Sequence, residues 1–192
     1  MTSTPITREF INAVQVRAAR VAVGPCAVRG QGAPGIAQAA RSYLATMPLA
    51  PFGISDSACF TERLEHATKK LAATLPSRGR SWGVARKLLN IFLRDAFYTV
   101  YLRDYYKLDR AEALFEMPLD SITVRSLKAE LPRGQLSRWP GVKHLKFQTS
   151  EEYQKAAAAI ASARFLARVH LDTYWWGGNR NGSNKQKYEP SS

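Results

Sequence analysis

The segment from residue 82 to about residue 106 restricts the possible folds of this chain more than any other. Its apolar residues recur at spacings of three and four and cover most of the circumference of a helix. They are Val84, Leu88, Leu89, Ile91, Phe92, Leu93, Ala96, Phe97 and Val100. A helix with so wide an apolar surface is buried on nearly all sides. The segment therefore predicts a central helix that other elements surround.

The segments on either side of this helix are amphipathic. Apolar residues at helical spacing predict further helices over residues 7–23, 36–47, 57–74, 110–115, 121–130 and 150–176. Glycine and proline mark their ends, as at Gly24-Pro25 and Gly177-Gly178. Since no segment alternates apolar and polar residues as a strand does, the sequence predicts an all-α fold. We expect one all-α domain over residues 1–178 and a flexible polar tail over residues 179–192.

The charge of the chain favours a polyanionic partner. Its 192 residues include 28 Lys and Arg against 15 Asp and Glu, so the formal net charge is +13. Nucleic acid is the usual partner of such a protein, although a ribosome-associated or lipid-surface protein is also basic. Arginines outnumber lysines by 18 to 10, which suits bidentate contacts with phosphate.

Other classes of protein are disfavoured by composition. Two cysteines are too few for a multi-cysteine zinc module, a four-cysteine iron–sulfur cluster or a disulfide scaffold. The three histidines are scattered, so we expect no metal and no cofactor. No apolar run approaches the roughly 20 residues of a membrane span. The first ten residues lack the apolar core of a secretion signal, and we expect a cytoplasmic protein.

Two residues at predicted helix starts have the chemistry of a catalytic pair. Lys87 lies in the first two turns after Gly83, and Asp120 precedes the helix predicted from residue 121, 33 residues further on. A partly buried lysine near a helix N-terminus is biased toward its neutral amine, which can form a Schiff base. A carboxylate at a helix start can activate a nucleophile or stabilise a developing sugar cation. The alternative is that Lys87 lies on a solvated face and that Asp120 is only an N-cap.

The sequence around these two residues resembles a known superfamily. Gly83-Val84-Ala85-Arg86-Lys87-Leu88-Leu89-Asn90 and Leu119-Asp120-Ser121-Ile122-Thr123-Val124-Arg125 are similar to the catalytic phrases of the helix-hairpin-helix DNA glycosylases. The long Lys–Asp spacing, and the Pro118-Leu119 that precedes the aspartate, are nearest to the archaeal 8-oxoguanine DNA glycosylases. The turn over residues 77–83 is longer and more basic than the usual hairpin, and Leu88 stands where the superfamily has threonine.

The resemblance implies a fold, an activity and roles for residues. It implies a compact two-lobed helical protein, with residues 60–130 as hairpin and catalytic core and residues 1–59 and 131–178 as packing helices. It implies a DNA glycosylase that flips out a base and cleaves its N-glycosidic bond. Asp120 would assist the attack and stabilise the sugar cation. Lys87 would be the nucleophile of an AP-lyase step or, failing that, a cation that contacts the DNA backbone or a base. The base is either an oxidised purine such as 8-oxoguanine or a modified cytosine of the phage type, excised in anti-phage defence.

Two basic segments are candidate DNA contacts. The first is the turn that opens the central helix, where arginines and backbone N–H groups can hold phosphates. The second is the irregular stretch that follows residue 133, where basic and aromatic residues alternate. The candidate residues are Arg78, Gly79, Arg80, Ser81, Gly83, Arg86, Arg138, Lys143 and Lys146. The alternative is that these turns are basic only because the whole protein is.

The tryptophans are candidates for the wall of a base pocket. An extruded base stacks on aromatic or apolar side chains, and the candidates are Trp82, Trp139, Trp175 and Trp176. The alternative is packing against the core. Asp172 could be a second catalytic acid, but Arg168 lies four residues before it, which predicts a salt bridge between them instead.

Three functions follow from these observations. The first is a monomeric DNA glycosylase that acts on duplex DNA. The second is a non-catalytic all-α protein that binds DNA or RNA with the same basic segments. The third is an all-α subunit whose basic face meets an acidic protein. The placement of Lys87 and Asp120 favours the enzyme, because neither of the other functions needs that pair.

Overall fold

The computed structural model describes residues 6–31 and 34–180, and side chains up to residue 175. Within these ranges the chain forms helices and turns with no strand, which confirms the all-α prediction. The α-helices are α1 (Arg8–Ala22), α2 (Pro25–Val28), α3 (Ile36–Thr46), α4 (Ser57–Thr74), α5 (Trp82–Tyr98), α6 (Val100–Tyr106), α7 (Ser121–Ala129), α8 (Phe147–Ser162) and α9 (Leu171–Arg180). Five 3-10 turns lie over Ala50–Phe52, Ser77–Gly79, Leu108–Leu114, Val142–His144 and Arg168–His170.

Helix α5 is the centre of the fold, as its apolar pattern predicts. It packs against α1, α3, α4 and α6, and the 3-10 turn Val142–His144 covers its first residues. Its apolar side chains are buried together with those of α1, α3 and α4 in one large cluster. A second cluster contains Met117, Leu127, Tyr153 and Leu171, which come from the segment before α7 and from α7, α8 and α9. The partly buried Trp139 packs against both clusters.

The predicted central helix is in fact two helices. Thr99 ends α5 and precedes α6 with an extended backbone, φ −86° and ψ 105°. Its N–H donates to the carbonyls of Asp95 and Ala96, and its Oγ1 donates to the carbonyl of Asp95, which closes the last turn of α5. The apolar pattern runs through this break because both helices bury residues against the same core. Periodicity alone could not reveal the change of direction.

The helix predicted over residues 150–176 is also divided. Helix α8 begins three residues earlier, at Phe147, and ends at Ser162, and α9 begins only at Leu171. Phe165 has a left-handed backbone between them, with φ 56°. Arg168 fixes the following turn by donating to the backbone carbonyls of Leu114 and Phe115. These tertiary hydrogen bonds outweigh the helix propensity of the alanine-rich sequence.

The end of the last helix differs from its predicted position. Gly177-Gly178 does not close it, because α9 continues to Arg180. The predicted tail therefore begins inside α9, and its residues 181–192 lie outside the described part of the chain. None of the helices in residues 6–31 and 34–180 combines the length and the apolar character that crossing a bilayer requires.

Candidate functional site

Lys87 and Asp120 lie against each other in the folded protein. The Lys87 Nζ is 3.3 Å from the Asp120 Oδ2, and the side chains are 7% and 27% exposed. Lys87 belongs to α5 and Asp120 to the start of α7, so the ion pair joins the two hydrophobic clusters. The alternative of a solvated lysine is wrong, because α5 buries Lys87.

The local structure at the start of α7 aims the Asp120 carboxylate. Its Oδ1 accepts the backbone N–H groups of Ile122 and Thr123 at 2.9 and 3.0 Å. The backbone N–H of Asp120 donates in return to the Thr123 Oγ1 at 2.9 Å, which completes a capping box. The predicted N-cap is thus confirmed. Since Oδ1 is engaged by the helix, Oδ2 is the oxygen that faces Lys87.

A second ion pair beside this site was not predicted. Arg94 lies seven residues after Lys87 on α5, and its Nη1 donates to the Asp172 Oδ2 of α9. Its Nη2 also donates to the Asp95 Oδ1 at 2.9 Å. The predicted salt bridge from Arg168 to Asp172 is wrong, because Arg168 donates to the backbone carbonyls of residues 114 and 115. The seven-residue spacing, which places two cations on one face of α5, is the signal that could have indicated this pair.

Burial perturbs the acids of this region. Burial raises the pKa of Asp172 above its usual range, Arg94 opposes the shift, and the negative charge of Asp120 adds to it. Burial likewise raises the pKa of Asp95, with Arg94 acting against it. The negative charge of Asp120 also raises the pKa of Asp172, and the positive charge of Lys87 lowers it.

The structure contradicts the prediction that Arg86 contacts DNA. The side chain is 3% exposed, and its Nη1 donates to the Thr68 Oγ1 at 2.7 Å. Its Nη2 lies 3.7 Å from the Glu65 carboxylate, and its Nε lies 3.1 Å from the Glu116 carboxylate. The buried guanidinium therefore pairs with two partly buried acids of the protein itself.

The two predicted basic segments meet at the start of α5, although 62 residues separate Ser81 from Lys143. The Ser81 Oγ donates to the Lys143 backbone carbonyl at 2.8 Å. Arg78 and Arg80 are exposed on the hairpin beside it, and Lys143 and Lys146 are exposed on the second segment. We refer to Arg78, Arg80, Lys143 and Lys146 as the cationic patch.

The hairpin glycines do not present their backbone to a phosphate as predicted. Gly79 and Gly83 are buried. A Cβ at Gly83 would lie 2.1 Å from the Val142 backbone oxygen and 2.7 Å from the Leu145 Cβ, so this glycine permits the second segment to close over α5. Arg138 is exposed on the loop before Trp139, and no described contact joins it to the cationic patch.

Three of the four candidate tryptophans, Trp82, Trp139 and Trp175, make contacts within the protein. The Trp82 Nε1 donates to the Glu65 carboxylate, and the indole lies under the Arg86 guanidinium. Trp139 packs edge-on against Tyr153, with ring centroids 5.5 Å apart. The Trp175 Nε1 donates to the Glu130 Oε1 at 2.6 Å. The Trp176 side chain lies outside the described part of the structure. These contacts fit the packing alternative and leave a base-stacking role without support.

Comparison with known proteins leaves the geometry as the basis for a functional assignment. No protein-family model, no curated protein and no solved structure matches this chain. Among the described residues, no three His, Cys, Asp or Glu side chains converge on a point where a metal ion could be held.

Proposed function

We propose that this protein is a DNA glycosylase with Lys87 and Asp120 at its catalytic centre. The observation that carries the proposal is their ion pair, with the Lys87 Nζ 3.3 Å from the Asp120 Oδ2. The two residues are distant in sequence, and the superfamily resemblance singles out both. Lys87 lies in the second turn of α5, and Asp120 is the N-cap of α7. A partly exposed carboxylate against a buried lysine suits a reaction in which positive charge develops on a deoxyribose.

The reaction is cleavage of the bond between the sugar C1′ and the base nitrogen. The bonding electron pair leaves with the base, and the Asp120 carboxylate stabilises the cation on the sugar. In one route the Lys87 ammonium gives a proton to the departing base, and its neutral amine then bonds to C1′. Opening of the sugar ring converts this adduct to a Schiff base. In the other route water attacks C1′ and passes a proton to Asp120.

Duplex DNA is the proposed partner. The net charge of +13 and the exposed cationic patch support binding to phosphates, and the patch lies at the start of the helix that bears Lys87. Base flipping would then bring one nucleotide to the Lys87–Asp120 pair. The two substrate classes are an oxidised purine such as 8-oxoguanine and a phage-type modified cytosine.

An excision assay tests the proposal. The wild type is incubated with duplexes that carry 8-oxoguanine, uracil or alkylated purines, and with phage DNA rich in modified cytosine. Abasic sites are then counted. We expect Asp120→Asn to lower the rate by roughly 10² to 10⁴, the contribution typical of a positioned acid or base. Asparagine still caps a helix, so α7 should persist. Asp104→Asn is the matched control, because Asp104 is 64% exposed and its one ion pair among the described residues is with Arg103.

Borohydride separates the two routes. If the Lys87 amine bonds to the sugar, reduction traps a covalent complex in the wild type and none in Lys87→Ala. Lys155→Ala is the control, since that lysine is exposed and pairs with Glu151. The absence of abasic product from every substrate would overturn the enzymatic proposal. Salt-dependent binding that survives both active-site substitutions would then assign the chain to the non-catalytic DNA- or RNA-binding proteins.

A further inference from the structure

A polar cavity of about 170 Å³ adjoins α5, and neither Lys87 nor Asp120 lines it. Arg86, Glu116 and Arg168 line it, together with Phe147, Ser150 and Gln154 from the first turns of α8. Neighbouring side chains of a helix point about 100° apart, so the Arg86 and Lys87 side chains leave α5 in different directions. The volume is far above the roughly 10–15 Å³ that one water needs. It is below the roughly 300 Å³ of a pocket for a drug-sized ligand, which limits an occupant to one or two rings.

Several polar groups that line the cavity have no partner among the described residues. The Ser150 Oγ is buried and makes no hydrogen bond. The Arg86 Nε is buried too, and its approach to Glu116 lacks the geometry of a hydrogen bond. Arg168 uses its Nε and Nη2 on backbone carbonyls, which leaves Nη1 for another acceptor. A buried polar group without a partner is unfavourable, so an occupant that satisfies these groups would be stabilised.

The charges around the cavity disfavour an anion. The positive charges of Arg86, Arg168 and Lys155 stand against the negative charges of Glu116 and Glu151. Arg86 is also neutralised from behind by Glu65. Burial lowers the pKa of the Arg168 guanidinium, Glu116 opposes the shift, and the charge of Arg86 adds to it. A phosphate or carboxylate would meet two carboxylates at this site, whereas a neutral ligand would meet both donors and acceptors.

The residues that line the cavity supply both hydrogen-bond donors and acceptors. The Glu116 Oε2 accepts from the Asn90 Nδ2 at 2.9 Å, and no described group donates to its Oε1. The Arg168 Nη1 supplies a donor, and the Ser150 hydroxyl can act as either. A heterocycle in which a ring N–H lies next to a ring carbonyl has what we call a lactam edge. This edge presents one donor and one acceptor, which can pair with the acceptors and donors of the cavity. The Phe147 ring, 37% exposed, can cover the face of a flat ligand.

We propose that this cavity binds a small neutral heterocycle through a lactam edge, such as the free base uracil or hypoxanthine. Glu116 accepts the ring N–H, Arg168 donates to the ring carbonyl, Ser150 completes the hydrogen bonding, and Phe147 covers the ring. The proposal is independent of the glycosylase activity, because the site is separate from Lys87 and Asp120 and the ligand is not joined to DNA.

Calorimetry on the full chain without DNA tests the proposal. Uracil and hypoxanthine are titrated as probes, and 1,3-dimethyluracil is the matched ligand in which methyl groups replace both N–H groups. We expect the first two to bind and dimethyluracil to bind at least tenfold more weakly. Ser150→Val, which fills the cavity and removes the hydroxyl, should weaken uracil binding at least tenfold. Ser162→Val at the exposed end of α8 should leave it unchanged.

A second variant guards against a folding defect in Ser150→Val. Phe147→Ala changes an exposed side chain, and we expect it to weaken uracil binding while the melting temperature without ligand stays near that of the wild type. Absence of binding by every probe would overturn the proposal and assign the unpaired groups to solvent. Equal binding of uracil and dimethyluracil, or binding unaffected by both variants, would also overturn it. Excision of bases from DNA is measured separately, so failure of one proposal does not imply failure of the other.

Discussion

Folding shifts the pKa values of Asp172 and Asp56 in opposite directions. Burial raises the pKa of Asp172, whereas hydrogen bonds from the Cys59 backbone and side chain lower the pKa of Asp56, the N-cap of α4. A carboxyl with a raised folded pKa binds its proton at higher pH in the folded state than in the unfolded chain. Folding therefore becomes more favourable as the pH falls through the folded pKa of Asp172. The contribution of Asp56 is present above its unfolded pKa and is lost as the pH falls through its lower folded pKa.

Urea unfolding at a series of pH values tests this difference. The wild-type free energy of unfolding, minus that of Asp172→Asn, should rise as the pH is lowered from 7 to 4. The same difference for Asp56→Asn should be flat over that range and fall below pH 4. A flat profile for Asp172→Asn would show that the Arg94 charge fully offsets the burial of this carboxylate.

At the scale of elements, the contact between α5 and the turn Val142–His144 depends on one glycine. An alanine at Gly83 would place its Cβ 2.1 Å from a backbone oxygen that cannot rotate away. We expect Gly83→Ala to lower the free energy of unfolding by about 1–3 kcal/mol, the usual cost of overpacking, even though alanine favours helix. Denaturant unfolding measures the change.

The same substitution should alter the second basic segment. Displacement of the turn would weaken the hydrogen bond from Ser81 to the Lys143 carbonyl, and we expect weaker DNA binding as a result. Gly24→Ala is the control, because the nearest atom to its Cβ would be 3.6 Å away. It should change stability by less than about 0.5 kcal/mol. Equal effects of the two substitutions would contradict the assigned role of Gly83.

At the scale of the whole molecule, the cationic patch should determine how DNA binding depends on salt. Each phosphate contact that is lost lowers the slope of log K against log salt by about 0.9. We expect Arg78→Gln with Arg80→Gln, and Lys143→Gln with Lys146→Gln, each to lower the slope by up to about 1.8. Fluorescence anisotropy between 50 and 200 mM salt measures it, a range over which four phosphate contacts would cost roughly 10²-fold in affinity.

The matched control removes the same number of charges outside the patch. Arg110→Gln with Lys155→Gln leaves the patch intact and lowers the net charge equally. Its slope should stay close to that of the wild type. If the control and the patch variants have the same slopes, DNA binding depends on the overall charge of the protein and not on the joined basic segments.

Local signals in the sequence determined most of the helices and the two principal residues of the site. The α4 range was predicted to the residue, since Asp56 and the apolar spacing mark its start and the Leu75-Pro76 turn marks its end. Asp120 was predicted as a helix cap for the same reason, because a side-chain oxygen that bonds to the next backbone N–H groups is a local interaction. The apolar width of α5 likewise predicted its central position.

Only the tertiary structure decided which side chains meet. Arg86 and Lys87 are adjacent cations in the sequence, yet one pairs with the partly buried Glu65 and Glu116 and the other faces Asp120. The pairing of Arg94 with Asp172 spans 78 residues, and sequence spacing favoured the wrong partner, Arg168. Helix caps and apolar periodicity are determined by residues within one or two turns. Ion pairs and breaks between helices depend on how distant segments are packed, and short-range spacing carries no information about that packing.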